Sequence, residues 1–254
     1  MSSKPIIRSI QLTRYQFPFD NVGVDFNFAV GAFYNPGSQA AWPALGIRID
    51  TDSGISGEYM SFAPGTFEQI LSFGPFLIGK NALEREFFYN QAKVILRKQD
   101  RMGIGPIDIA LWDLAGKLYD SPIHKLLGGY RKKLPSYAST YHGDRASGGL
   151  NSPSAYADFA EQCMSIGYRG FKIHPWADSN IQRDIETVHA IGKRVGGKMA
   201  LMLDPCCVYD TLSDALLVGR ACDDENFYWY EDPLRDGGVS IYAHKQLRKM
   251  IKTP

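Results

Sequence analysis

The chain has 254 residues, of which 44% are hydrophobic and 22% charged, with a formal net charge of +1. That length can bury a sizeable core in one large or two moderate domains, and the composition excludes a disordered or fibrous chain. Near-neutral charge removes the electrostatic case for nucleic acid or an anionic membrane surface as partner. No apolar run approaches the ~20 residues of a membrane span, and the amino terminus lacks the charged-then-apolar layout of a signal peptide. A cytoplasmic location is therefore expected. Cys163, Cys206, Cys207 and Cys222 form no CxxC pair and no His/Cys cluster at zinc spacing, which predicts reduced thiols.

In chain order, IIRSIQLTRYQFPF reads as a strand and PALGIRIDTDSGISGEY as two strands around a Gly-rich turn. The stretch between them, Asn21 to Trp42, has aromatics and glycines without a sustained period and reads as a mobile functional loop. From Thr66 to about Lys98 the pattern is helical. A second helix carries Pro106 in its first turn and Ile107, Leu111, Leu114 and Leu118 on one face. Gly128-Gly129 and the basic run Arg131 to Lys133 close this α+β half, with the basic residues read as a solvated face.

After Lys133 strands and helices alternate. LPSYAS is followed by a helix capped by Ser152 or Ser154, then GFKIHP and a helix over 181–195. KMALMLD precedes a helix over 211–222, and FYWYED precedes a last helix over 241–250, where the basic residues from His244 to Lys252 again form a solvated face. Four successive βα units predict a parallel sheet with helical crossovers. A doubly wound sheet and a (β/α)8 barrel both remain open, although no GxGxxG or P-loop turn supports the first.

Chemistry-bearing residues fall at the strand ends. Lys172 and His174 are two apart and so share one face of their strand, opposite Phe171 and Ile173. An edge strand with one wet face would account for them. Asp204 ends the next strand and Glu231 the one after, on the side where βα loops converge. Each carboxylate alone could serve a helix cap or a turn. Two projecting from neighbouring strands repel unless a cation lies between them, and their hard oxygens suit Mg²⁺ better than zinc.

The run GPIDIALWDLAGKLYDSPIHKLLGG, followed by FKIH, LMLD and YWYEDP, resembles the enolase superfamily in its mandelate racemase and muconate lactonizing enzyme branch. The resemblance implies an α+β capping domain over residues 1–133. It implies the first half of a (β/α)8 barrel, four βα units, over 134–254, truncated before strand five. It assigns Asp204 and Glu231 as two of three Mg²⁺ ligands and Lys172 and His174 as the catalytic basic pair. Asn21 to Trp42 and the turn from Ser53 to Pro64 would be cap loops that set substrate choice. Asp25, Asn27 and Tyr34 are candidate substrate-binding residues there, and Cys206 another at the barrel. Two residues depart from the family pattern: His174 stands where Lys is usual, and Cys206 where Asn is common.

The activity so implied is Mg²⁺-dependent removal of a proton α to a carboxylate. Imidazole suits the task near neutral pH, with Lys172 expected to keep His174 uncharged. Dehydration of a sugar acid to a 2-keto-3-deoxy acid is the expected outcome, and racemisation or epimerisation of a 2-hydroxy acid the alternative. A cycloisomerase fits less well, because it goes with Lys at both basic positions. From another class, the chain could be a catalytically inactive truncated remnant or a binding protein. The expected partners are a small carboxylate substrate and further copies of the chain in a homo-oligomer, with no nucleic acid and no membrane.

Overall fold

The computed structural model describes residues 4–24, 32–63, 65–144, 148–235 and 241–254. The chain divides into two compact units, one of Met1–Pro18 with Ala41–Lys133 and one of Phe19–Ala40 with Leu134–Pro254. No helix among the described residues is long and apolar enough to cross a membrane.

β1 (Ile7–Val24), β2 (Ala32–Thr51) and β3 (Ser56–Ser61) form one sheet in the order β1-β2-β3. β2 pairs antiparallel with β3 from Leu45↔Ser61 to Asp50↔Ser56, around a turn in which Gly54 takes φ 78°. The expected loop over 21–42 is thus largely strand: Asn21–Val24 ends β1 and Ala32–Trp42 begins β2. Aromatics and alternating small residues suit an extended ribbon as well as a loop, and only pairing decides between them. Much of the Ser53 to Pro64 segment is likewise strand rather than loop.

The single helix expected over 66–98 is two, α1 (Thr66–Leu77) and α2 (Arg85–Ile95). The break has a backbone cause. Gly79 adopts φ 78° and donates its N–H to Ile7 O, while Ile7 N donates to Lys80 O and Ala82 N to Pro5 O. Residues 79–82 give their hydrogen bonds to the start of β1 instead of continuing the helix. α3 (Ile104–Leu118) buries Ile107, Leu111 and Leu114 as its spacing predicts. It lies so near β3 that a Cβ on Gly57 would fall 2.0 Å from Ala110 O. The short α4 (Ile123–Leu126) follows.

The second unit holds a parallel four-stranded sheet in the order β4-β5-β6-β7, from β4 (Ala138–Ser139), β5 (Gly170–Ile173), β6 (Ala200–Leu203) and β7 (Trp229–Tyr230). α5 (Pro153–Ser165), α6 (Ile181–Val195) and α7 (Leu212–Asp224) are the crossovers, and α8 (Ile241–Met250) follows β7. This is half of the eight βα units of a (β/α)8 barrel. Each crossover is capped as its sequence allows: Ser152 Oγ accepts from Ala155 N, Asn180 Oδ1 from Arg183 N, and Thr211 Oγ1 from Asp214 N. Phe171, Ile173, Leu201 and Leu203 face a core completed by Tyr156, Val188, Ile191, Val218 and Cys222. β5 is not an edge strand, since it pairs with both β4 and β6 and all four of its residues are buried.

Candidate active site

The register of the parallel sheet brings the four strand-end residues together. Ile173 pairs with Leu203 and Leu203 with Tyr230. The ladder then runs one residue further, because Asp204 N donates to Ile173 O at 2.9 Å and Glu231 N to Leu203 O at 2.8 Å. His174, Asp204 and Glu231 therefore lie side by side at the carboxyl ends of three adjacent strands. Lys172 sits one pleat below on the same face as His174.

The side chains meet as this placement requires. Lys172 Nζ donates to Asp204 Oδ2 at 2.8 Å and to Glu231 Oε2 at 3.1 Å. His174 Nε2 lies 3.0 Å from the same Asp204 oxygen. Lys172 and Asp204 are only 8% and 6% exposed, so this is an ion pair largely removed from water. Burial alone would raise the Asp204 carboxyl, but the hydrogen bonds from His174 and Lys172 outweigh it and hold the group well below the usual carboxylate range. Burial likewise favours the neutral form of Lys172, and the bonds to Asp204 and Glu231 reverse the balance and raise it. Trp229 Nε1 steadies Glu231 by donating to Oε2 at 3.0 Å.

Two groups absent from the sequence reading organise this corner. Thr140, just past β4, accepts from His174 N through Oγ1 at 2.9 Å, and its carbonyl oxygen lies 2.6 Å from His174 Nδ1. A carbonyl only accepts, so Nδ1 carries a proton, and an ionised carboxylate likewise only accepts, so the contact of Nε2 with Asp204 Oδ2 is a hydrogen bond donated by His174. His142 stacks edge-on to His174 with ring centroids 5.6 Å apart, and its Nδ1 meets Pro175 O at 2.7 Å. Its burial pulls the His142 imidazole below its ordinary value, Pro175 O opposes this, and the neighbouring His174 adds to it. The sequence marks neither residue, because each acts across strands from a segment of ordinary composition.

The expected pairing of Lys172 with His174 is altered. The carboxylate of Asp204 stands between the two, so Lys172 does not confront His174 as an uncompensated cation, and its charge goes to Asp204 and Glu231. Cys206 lies beside the cluster: φ of 56° turns the chain back, and its N–H donates to Asp204 Oδ1 at 3.0 Å. Asp204 thus combines a turn role with its place in the cluster. Burial, and then the nearby Asp204 charge, push the Cys206 thiol up to about 12. Asp25 and Asn27 lie outside the described residues. Tyr34 belongs to β2, and its side chain is not among those described.

The convergence of two carboxylate oxygens on one cationic nitrogen shows that Asp204 and Glu231 can present hard oxygen donors to a single point, which suits a divalent cation such as Mg²⁺. Residues 155–254 match the family described as enolase C-terminal domain-like, and residues 37–128 match the mandelate racemase / muconate lactonizing enzyme N-terminal domain. The chain belongs to the enolase superfamily. Among curated relatives of this superfamily chain, arabinonate dehydratase of Saccharolobus solfataricus is 31% identical over 224 residues, covering 83% of this chain and 57% of that one. N-succinyl-L-Arg/Lys racemase of Bacillus cereus is 25% identical over 219 residues, covering 82% and 56%. The solved structure of D-glucarate dehydratase from Agrobacterium tumefaciens, complexed with magnesium, superposes with a TM-score of 0.85 at 28% identity, covering 99% of this chain and 66% of that one. This superfamily member therefore spans a little over half the length of the curated relatives it matches.

Proposed function

We propose that Lys172, His174, Asp204 and Glu231 form one side of an active site that removes a proton α to the carboxylate of a sugar acid, and that the reaction is dehydration to a 2-keto-3-deoxy acid. The observation that carries this reading is the single cluster in which His174 Nε2 and Lys172 Nζ both meet Asp204 Oδ2, with Glu231 on the far side of Lys172. Mg²⁺ held by Asp204 and Glu231 would supply fixed positive charge for the substrate carboxylate and for the negative charge that develops on it.

His174 is the base. Its Nδ1 proton is committed to the Thr140 carbonyl, so Nε2 is the atom that accepts the α-proton, once the proton it donates to Asp204 has been released to solvent. Lys172 is the fixed cation beside it, buried and always charged at working pH because its partners raise it. Once the α C–H bond is broken, the electron pair expels the β-hydroxyl, which takes up a proton from the His174 imidazolium or from solvent and leaves as water, and the enol product tautomerises to the 2-keto acid. The dehydratase relatives support this outcome. The racemase relative favours a second reading, in which the proton is returned to the other face and no water leaves.

The test is incubation of the whole protein with Mg²⁺ and a library of aldonic and aldaric acids in D₂O, scoring 2-keto-3-deoxy products and α-deuterium. Products that vanish in excess EDTA and in His174→Ala are expected. Deuterium incorporation without product would establish the second reading, and neither signal from any acid would overturn both.

A further inference from the structure

We propose that His174, Asp204 and Cys206 form a binding site for a borderline-soft divalent cation of the Zn²⁺ class, distinct in its donors from the Asp204–Glu231 pair and competing with it for Asp204. The ligand atoms of these three residues all lie within 4.8 Å of one another. They are one imidazole nitrogen, one carboxylate oxygen and one thiol sulfur, the donor set that zinc selects and Mg²⁺ does not. The sequence conceals the site, because His174 is thirty residues from Asp204 and no zinc spacing relates them.

The backbone prepares this arrangement. The parallel register sets His174 beside Asp204, and the left-handed turn at Cys206 and Cys207, φ 56° and 61°, folds Cys206 back so that its N–H reaches Asp204 Oδ1. His174 is oriented from behind, where Thr140 O holds Nδ1 and leaves Nε2 toward Asp204; a backbone carbonyl in that position is a usual partner of a metal-bound histidine. With Zn–N of about 2.0 Å and Zn–S of about 2.3 Å, tetrahedral donors lie roughly 3.5 Å apart, so three atoms already within 4.8 Å of one another need only draw together to close the site. On ligation the S–H proton and the His174 Nε2 proton pass to solvent, Lys172 keeps its bond to Glu231, and the fourth position is left to water.

The consequence for activity rests on the proposed function: an ion on His174 Nε2 occupies the atom assigned as base, so zinc-class ions would inhibit in competition with Mg²⁺. Binding itself does not rest on it, and the test uses no substrate. Co²⁺ titrated into the chain should produce a near-ultraviolet sulfur-to-cobalt charge-transfer band with visible d–d absorption of low coordination, and Zn²⁺ should bleach both. Cys206→Ser and Cys206→Ala, each checked for native circular dichroism, should lose the charge-transfer band and weaken Co²⁺ binding at least tenfold. His174→Gln should weaken it comparably, while Cys207→Ser and Glu231→Gln should retain the band. Absence of the band from the parent chain, its survival in both Cys206 variants, or its loss in Cys207→Ser would overturn the assignment.

Discussion

Thr140 holds His174 at two points: its hydroxyl accepts the His174 backbone N–H at 2.9 Å, and its carbonyl faces Nδ1 at 2.6 Å. The second contact keeps a proton on Nδ1 and does not depend on the Thr140 side chain. The first depends on the hydroxyl. Thr140→Val removes an acceptor from a partly buried N–H while keeping shape, at a cost of about 1–3 kcal/mol. Thr140→Ser keeps the acceptor and loses one buried methyl, so it should cost about 0.8 kcal/mol in urea unfolding. Equal stability of the Val and Ser variants would show that the hydroxyl is not what anchors His174.

Lys172 and Asp204 form a buried pair that shares further partners on each side, so single substitutions mix pair energy with desolvation of the group left behind. A double-mutant cycle with Lys172→Met and Asp204→Asn separates them. Contacting charged residues couple by about 0.5–3 kcal/mol, and the low exposure of both groups places this pair in the upper half of that range. The double variant should lose less stability than the sum of the single losses. Additive losses would mean that Lys172 is held by Glu231 alone.

Asp184 predicts a pH dependence away from the site. It is fully buried, receives the Tyr209 hydroxyl at 2.9 Å on Oδ2, and has no hydrogen-bond partner on Oδ1 among the described residues. Its burial pushes the carboxyl from 3.8 up to about 7, against the Tyr209 hydrogen bond and the nearby Arg183 charge. A folded value above the unfolded one means that the stability contributed is complete below about pH 3.8, declines as pH rises, and is lost above about pH 7. At ~1.36 kcal/mol per unit the swing is on the order of 4 kcal/mol. The stability difference between Asp184→Asn and the parent should therefore shift in favour of the variant from pH 4 to pH 7 and level off beyond, measured by chemical denaturation across that range. A pH-independent difference would contradict it.

Gly57 is where β3 admits α3. An added Cβ would lie 2.0 Å from Ala110 O and 2.8 Å from Leu114 Cβ, and a backbone carbonyl in a helix cannot move aside as a side-chain tip can. Gly57→Ala should destabilise the first unit by about 3 kcal/mol, at the upper end of overpacking penalties. Gly105→Ala, where a Cβ meets nothing within 4 Å, should be neutral or slightly stabilising through helix propensity. Thermal unfolding of both variants distinguishes the two environments.

Local information in the chain was sufficient for the elements whose signals are local. The bounds of α6 and α8, the Ser152 cap, and the order of four βα units all follow from apolar period and capping chemistry, which act within a turn or two of the backbone. The strand-end positions of Lys172, Asp204 and Glu231 were legible for the same reason. What pairing across the chain decides was not legible. The break between α1 and α2 comes from residues 79–82 bonding to β1, more than seventy residues earlier. The ribbon at 21–24 and 32–42 became strand because it found partners that its composition does not name. In the site, register set His174 beside Asp204 and brought Asp204 between His174 and Lys172, so that Lys172 is neutralised instead of acting on the imidazole. Thr140 and Cys206 acquired their roles through a neighbouring strand and a left-handed turn. Side-chain chemistry is written residue by residue, but which charges face one another depends on hydrogen-bond register between segments that only the folded sheet aligns.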